Sequence, residues 1–151
     1  MLKFYGISCV VFLLDQITKV LIIKNITDSQ FIVINSFFNI VNFKNQGAAF
    51  SFLSNAGGWQ RYFLSIVALI ATVFIIFLIK KHKHEFLTVI GLSLILGGAL
   101  GNLYDRIFLG YVIDFLYFHY QDFYWPAFNV ADSAICLGAG LLIYETFFKK
   151  K

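Results

Sequence analysis

Tyr62–Ile79, YFLSIVALIATVFIIFLI, contains no charged residue. A hydrocarbon core of about 30 Å needs roughly 20 helical residues at about 1.5 Å each. The segment therefore reads as a transmembrane helix. Immediately beyond it, Phe86–Tyr104, FLTVIGLSLILGGALGNLY, is equally free of charge until Asp105. With 60% hydrophobic and 13% charged residues in 151, the whole chain is too apolar to clothe a soluble surface.

Two further stretches, 4–23 and 127–148, are long enough to span. They carry ionisable residues inside their apolar runs, Asp15 and Lys19 in one and Asp132 and Glu145 in the other. The rival reading of the N-terminus is a cleaved signal peptide, since Lys3 precedes the apolar run Phe4–Leu14. No small-residue cleavage site follows that run, and too few apolar residues precede Cys9 for a lipobox, so the segment is expected to remain as an anchor. The expectation is a mainly α, polytopic membrane protein of four helices, forming a single membrane-embedded unit over residues 1–151.

Basic residues orient such a chain, because short cytoplasmic segments retain Lys and Arg. Lys3, Lys80, Lys81, Lys83 and Lys149–Lys151 fall on one side, whereas the two long connections on the other hold only Lys24, Lys44, Arg61 and Arg106. Both termini are thus expected in the cytoplasm. The net charge of +4 is explained by anionic lipid headgroups facing the inner loop and tail, so no nucleic-acid partner is expected. Cys9 and Cys136 lie in different spans at different depths and read as small apolar packers. His82 and His84 sit in the inner loop and His119 in an outer one, which leaves no convincing metal set, and no metal or cofactor is assigned.

Between the first two spans, FIVINSFFNIVNF (31–43) is rich in β-branched and aromatic residues and favours short strands. A small sheet is marginal in water, so this β-cradle, approximately residues 30–50, is expected to rest on the outer leaflet or on helix ends. The following Gly47–Leu53 suits a short interfacial helix, broken at Gly57–Gly58. The aromatic run from Tyr111 to Phe128 reads chiefly as an interfacial belt, with Asp114 at the membrane surface. Gly97 with Gly101, and Ala134 with Gly138, have the spacing of close helix contacts.

Charged groups inside a span cost at least about 2.5–3.5 kcal/mol near the bilayer centre, so each requires a partner or a task. Asp15 and Lys19, four apart, share a helix face and can pair. Asn102 and Arg106 repeat that spacing, with Asp105 expected to point elsewhere. Asn129 and Asp132 lie near the outer end of the fourth span. Asp15, Lys19, Asn45, Asn102, Arg106, Asp114, Asn129 and Asp132 all fall in the outer half of the molecule, while Glu145, at the inner end, reads as structural. Two carboxylates sharing a proton can hydrolyse a peptide without a Ser or Cys nucleophile or a metal. Asp114 and Asp132 could fill those roles. Spacing alone leaves open an ion-coupling pair in a small transporter, although a polar set confined to one side disfavours a through-path.

Four ordered motifs add to this reading: Asp15-Gln-Ile-Thr-Lys19, Asn45-Gln-Gly-Ala-Ala-Phe-Ser51, Gly101-Asn-Leu-Tyr-Asp-Arg106 continuing to Asp114-Phe115, and Phe128-Asn-Val-Ala-Asp132. In this order the chain resembles the bacterial lipoprotein signal peptidases, or signal peptidase II. The resemblance implies four transmembrane helices with an outer β-cradle and a short interfacial helix. It implies an aspartic endopeptidase of the cytoplasmic membrane with its site on the outer side; the chain is expected to act as a monomer among membrane lipids. Its substrates would be diacylglyceryl-modified prolipoproteins, cut just before the lipidated cysteine. Asp114 and Asp132 match the catalytic pair; Asn102, Arg106 and Asn129 match site-shaping positions, and Asp15, Lys19, Asn45 and Gly47 match other positions of the motifs.

Overall fold

The computed structural model describes residues 2–28, 30–47 and 57–148. In chain order these form α1 (Leu2–Asn25), β1 (Phe31–Asn35), β2 (Phe38–Asn45), α2 (Trp59–Lys81), α3 (Phe86–Phe108), β3 (Val112–Tyr120), β4 (Phe123–Tyr124) and α4 (Val130–Phe148). All four helices are long and apolar enough to cross a membrane. Their outward faces are the hydrophobic ones: Ile70, Val73 and Phe77 of α2 are each more than half exposed, as expected where lipid rather than protein covers the helix.

Helix α3 lies at the centre and touches the other three. Its glycines make this possible by letting neighbouring backbones approach. A Cβ on Gly97 would stand 2.7 Å from the Ser8 carbonyl oxygen of α1, and one on Gly98 would stand 2.4 Å from the Ala131 carbonyl oxygen of α4. Gly97 and Gly101 thus face α1, whereas Gly98 and Gly91 face α4, with Gly138 meeting Gly91 from the other side. The α2–α3 seam is aliphatic: Ile75, Ile79, Val89, Leu92 and Leu96. At the end away from the sheet, the Thr88 hydroxyl contacts the Glu145 carboxylate and joins α3 to α4, so Glu145 is structural but its partner is protein.

The sheet caps the opposite end, with antiparallel strands in the order β1-β2-β3-β4. Strands β1 and β2 fall where the β-branched and aromatic run placed them. Strand β3 is a correction: the aromatic stretch taken for a belt holds a central strand, paired with β2 through Phe38↔Phe118 at one end and Asn45↔Val112 at the other. The signal was present in VIDFLYFHY, whose alternate residues face opposite ways. Ile113 and Phe115 pack with Ile22 and Ile26 at the end of α1, so the sheet rests on helix ends. Residues of opposite parity, Val112 and Asp114, face a cavity instead.

Helix α4 starts at Val130 rather than at 127 because Phe128 is already engaged: its carbonyl accepts the Phe115 and Leu116 N–H groups and its own N–H donates to Leu116. Asp132 consequently occupies the first turn. The exit from α3 into β3 turns at Gly110, whose φ of 88° suits glycine, while Arg61 donates to the Arg106 and Ile107 carbonyls at 2.7 and 2.6 Å. Cys9 and Cys136 are both free and exposed, not packed within the bundle as expected, and Cys136 borders a cavity beside α4. Of the expected interfacial helix, Gly47–Leu53, residues 48–53 lie outside the described residues.

Candidate active site

Asn129 organises the site through its place at the start of α4. Its side-chain oxygen accepts the Asp132 N–H at 2.9 Å, and its own N–H faces Asp132 Oδ2 at 3.3 Å, the reciprocal pattern of a capping box. Helix-start chemistry therefore fixes the backbone of Asp132. The other half of the same amide, Nδ2, donates to Asp114 Oδ1 at 2.8 Å. One residue thus joins both carboxylates, one on a helix and the other on a strand.

Each carboxylate has a second amide donor. Asn45, across the β2–β3 ladder, donates to Asp114 Oδ2 at 2.9 Å, and Asn102 of α3 donates to Asp132 Oδ1 at 2.8 Å. Asn45 Oδ1 accepts the Gly47 N–H at 2.9 Å, while the Gly47 carbonyl accepts Arg106 Nη2 at 3.1 Å. Gly47 therefore contributes through its backbone. Arg106 also donates to the Asn102 carbonyl at 3.3 Å, so the Asn102/Arg106 spacing does place both beside the pair.

Asp114 is 4% exposed, and burial, reinforced by the neighbouring Asp132 charge, pushes its carboxyl up to about 7 against the pull of the Asn45 and Asn129 hydrogen bonds. Such a group holds a proton near neutrality. Between its ordinary 3.8 and about 7, folded Asp114 retains a proton that the unfolded chain has lost, so raising the pH through this window weakens the fold. Activity that needs one proton on the pair should fall with a midpoint near pH 7 on the alkaline side, a value belonging to the coupled pair. A pH–rate profile still level at pH 9 would contradict this assignment.

Asp15 and Lys19 sit directly behind the pair. Lys19 Nζ lies 2.8 Å from Asp15 Oδ2, the expected bridge, and 2.7 Å from Asp105 Oδ2. Asp105 is the main residue the sequence reading misplaced. At 1% exposure it is wholly enclosed and also accepts Gln16 Nε2 at 3.0 Å. The i,i+4 rule drew attention to Arg106, yet Asp105 is i+3 from Asn102, which is also a neighbouring position on a helix.

A cavity of about 560 Å³ opens beside the pair, bounded by Asn102, Arg106, Asp114 and Asp132 at one end and by Ala68, Ile135 and other apolar groups of the helices at the other. A second groove, of similar volume, runs along the sheet past Asn42, Phe43, Lys44 and Tyr117. The two share Asn45, Asp114 and the strip Trp125-Pro126-Ala127. The buried Asp114 carboxylate, held by the Asn129 side chain, and the half-buried Asp132 carboxylate, faced by the Asn129 backbone N–H, lie where an apolar cavity meets a polar groove, and have the equipment for acid–base hydrolysis of an extended substrate.

Known proteins share this arrangement of chain and fold. A protein of Janthinobacterium sp. (strain Marseille) named lipoprotein signal peptidase is 52% identical over 145 residues, covering 96% of this chain and 88% of its own. A Teredinibacter turnerae protein of the same name is 51% identical over 151 residues, covering 99% and 90%. Among solved structures, a bacterial membrane enzyme determined by the in meso method at 2.3 Å superposes with a TM-score of 0.86 at 30% identity, over 100% of this chain and 93% of that one. The family model described as signal peptidase (SPase) II matches residues 7–148, which takes in every residue of the site, and the chain belongs to the signal peptidase II family.

Proposed function

We propose that Asp114 and Asp132 are the catalytic pair with which this chain removes signal peptides from diacylglyceryl-modified prolipoproteins, cutting just before the lipidated cysteine. The observation that carries the reading is the bridge through Asn129, which makes one hydrogen-bonded unit of two carboxylates, one of them buried enough to keep a proton at neutral pH. Family membership supplies the reaction, and the site supplies residues for each step.

Asp114, raised to about 7, holds the proton at rest, and Asp132 accepts one from the attacking water. As water oxygen bonds the scissile carbonyl carbon, protonated Asp114 donates to the carbonyl oxygen, which is gaining negative charge. As the tetrahedral intermediate collapses, the C=O re-forms, the proton shared with that oxygen returns to Asp114, and the C–N bond breaks. The proton held by Asp132 passes to the departing nitrogen, which becomes the free amine of the cysteine, and the signal peptide leaves with a new carboxyl group. The asparagine donors keep both carboxylates oriented throughout. Asn45, Gly47, Asn102, Arg106 and Asn129 are accordingly site-shaping residues.

The substrate fits the junction of the two recesses. An acylated cysteine suits the apolar cavity between α3 and α4, and extended polypeptide suits the groove along the sheet. The basic residues Lys80 and Lys81 in the last turn of α2 and Lys83 in the turn to α3 support placing that end in the cytoplasm, hence both termini inside and the site at the outer face. In this reading the chain works as a monomer surrounded by membrane lipids.

The test is incubation of the purified protein with a prolipoprotein carrying the diacylglyceryl group and with the same precursor lacking it. Only the modified precursor should be cut, to a product whose N-terminus is the lipidated cysteine by mass spectrometry. Failure to cut it, combined with an Asp132-dependent proton flux in proteoliposomes, would replace hydrolysis with transport.

A further inference from the structure

Lys19 is 1% exposed, and its ammonium has three N–H donors and no acceptor. Its three neighbours are Asp15 Oδ2 at 2.8 Å, Asp105 Oδ2 at 2.7 Å and Asn102 Oδ1 at 3.0 Å. Every donor is therefore matched. The consequence for Asn102 is directional: it must turn its carbonyl to Lys19, since a flipped amide would set NH2 against the ammonium. Its Nδ2 is then committed to Asp132 Oδ1 at 2.8 Å.

The two counter-ions of Lys19 reach further. Asp15 Oδ1 accepts the backbone N–H of Ala131 at 2.9 Å, and Asp105 Oδ2 faces the backbone N–H of Ile113 at 3.4 Å. Ala131 immediately precedes Asp132, and Ile113 immediately precedes Asp114. Gln16 Nε2 ties the two counter-ions together, at 3.1 Å from Asp15 Oδ2 and 3.0 Å from Asp105 Oδ1. Helices α1 and α3 thus meet at the ammonium, and its counter-ions tie α4 and the central strand to it through Ala131 and Ile113.

We infer that the enclosed Lys19–Asp15–Asp105 trio is the positioning device of the carboxylate pair: Lys19 orients the Asn102 amide toward Asp132, while its counter-ions hold the backbone in front of each aspartate. The inference rests on Asp114 and Asp132 being the catalytic pair. A salt bridge serving stability alone would be poorly explained here, because burying three charges costs desolvation energy that an apolar packing avoids. What the charges add is direction. Acceptors surround a donor-only group, so the Asn102 amide has one satisfied orientation.

A double-mutant cycle on the full chain in detergent or lipid tests this. Lys19→Met should lower kcat by about 10²-fold with KM changed by less than about two-fold, since misplacement by about 1 Å has that effect on rate. In an Asn102→Ala background the same change should lower kcat by less than about three-fold, because the group through which Lys19 acts is already gone. Full multiplication of the two losses would overturn the inference. Lys19→Met/Asp105→Asn removes one charge of each sign and so guards against simple misfolding. It should unfold near the wild-type temperature yet keep the low kcat; recovery of wild-type kcat would also overturn the positioning role. Asp132→Asn is assayed alongside: if it cleaves normally, the catalytic pair itself is wrong.

Discussion

Asp132→Asn and Asp114→Asn will each lower the rate of prolipoprotein cleavage by about 10³-fold, within the range that a positioned acid or base contributes. The geometry makes the loss chemical and not merely electrostatic. Asp132 receives N–H donors on both oxygens, from Asn102 and from the Asn129 backbone, and Asp114 receives them from Asn129 and Asn45. An asparagine at either position must turn an NH2 group toward one of these donors, and it can neither take a proton from water nor pass one on. If the two carboxylates act as a unit, as proposed, the double variant should be no slower than the worse single one. Rates measured on folded protein, with unfolding temperatures recorded for each variant, check this; more than a tenth of wild-type activity in either variant would count against the pair.

Gly98→Leu will destabilise the fold by about 2–3 kcal/mol, the usual scale of overpacking a close-packed interior. Even a Cβ at this position falls 2.4 Å from the Ala131 carbonyl oxygen and 2.8 Å from Ile135 Cγ1. The first obstacle is backbone inside α4, which cannot rotate away. Leucine's better helix propensity offsets at most about 1 kcal/mol, so sterics win. Since Ala131 stands between Asn129 and Asp132, separating α3 from α4 also pulls Asp132 away from Asn102, and activity should fall with stability. Gly140 is the control: a Cβ there meets nothing within 4 Å, so Gly140→Leu should leave activity unchanged and stability unchanged or raised by up to about 1 kcal/mol. Thermal unfolding in detergent reports the first effect, and a wild-type midpoint for Gly98→Leu would refute the packing argument.

The helices were legible because lipid imposes a simple demand. Any segment crossing about 30 Å of hydrocarbon must be long, apolar and internally hydrogen-bonded. The uncharged 62–79 core lies inside α2, Trp59–Lys81, and 86–104 lies inside α3, Phe86–Phe108. The Asp15–Lys19 bridge was legible for an equally local reason, since i,i+4 residues on one helix are neighbours wherever that helix goes. Strands β1 and β2 announced themselves through β-branched and aromatic residues. Strand β3 did not, because in a membrane protein a dense run of Tyr, Phe and Trp has a second explanation at the headgroup level. Asp105 escaped for a related reason: its neighbours Lys19 and Gln16 belong to another helix, and nothing in the local pattern of α3 names them.

The sequence by itself determined that this chain is built for a bilayer, which segments cross it and which polar residues require partners there, because hydrophobic length and helical period are local properties. Its ordered motifs also pointed to the family. The meeting of Asp114 with Asp132 was settled at another level. It depends on β2 pairing with β3 across two intervening helices, on Phe128 docking to that sheet so that α4 begins at Val130, and on glycines that bring α3 close enough for Asn102 to reach Asp132. Register between distant strands and the separation of packed helices follow from the sum of many weak contacts, and no short stretch of residues contains that sum.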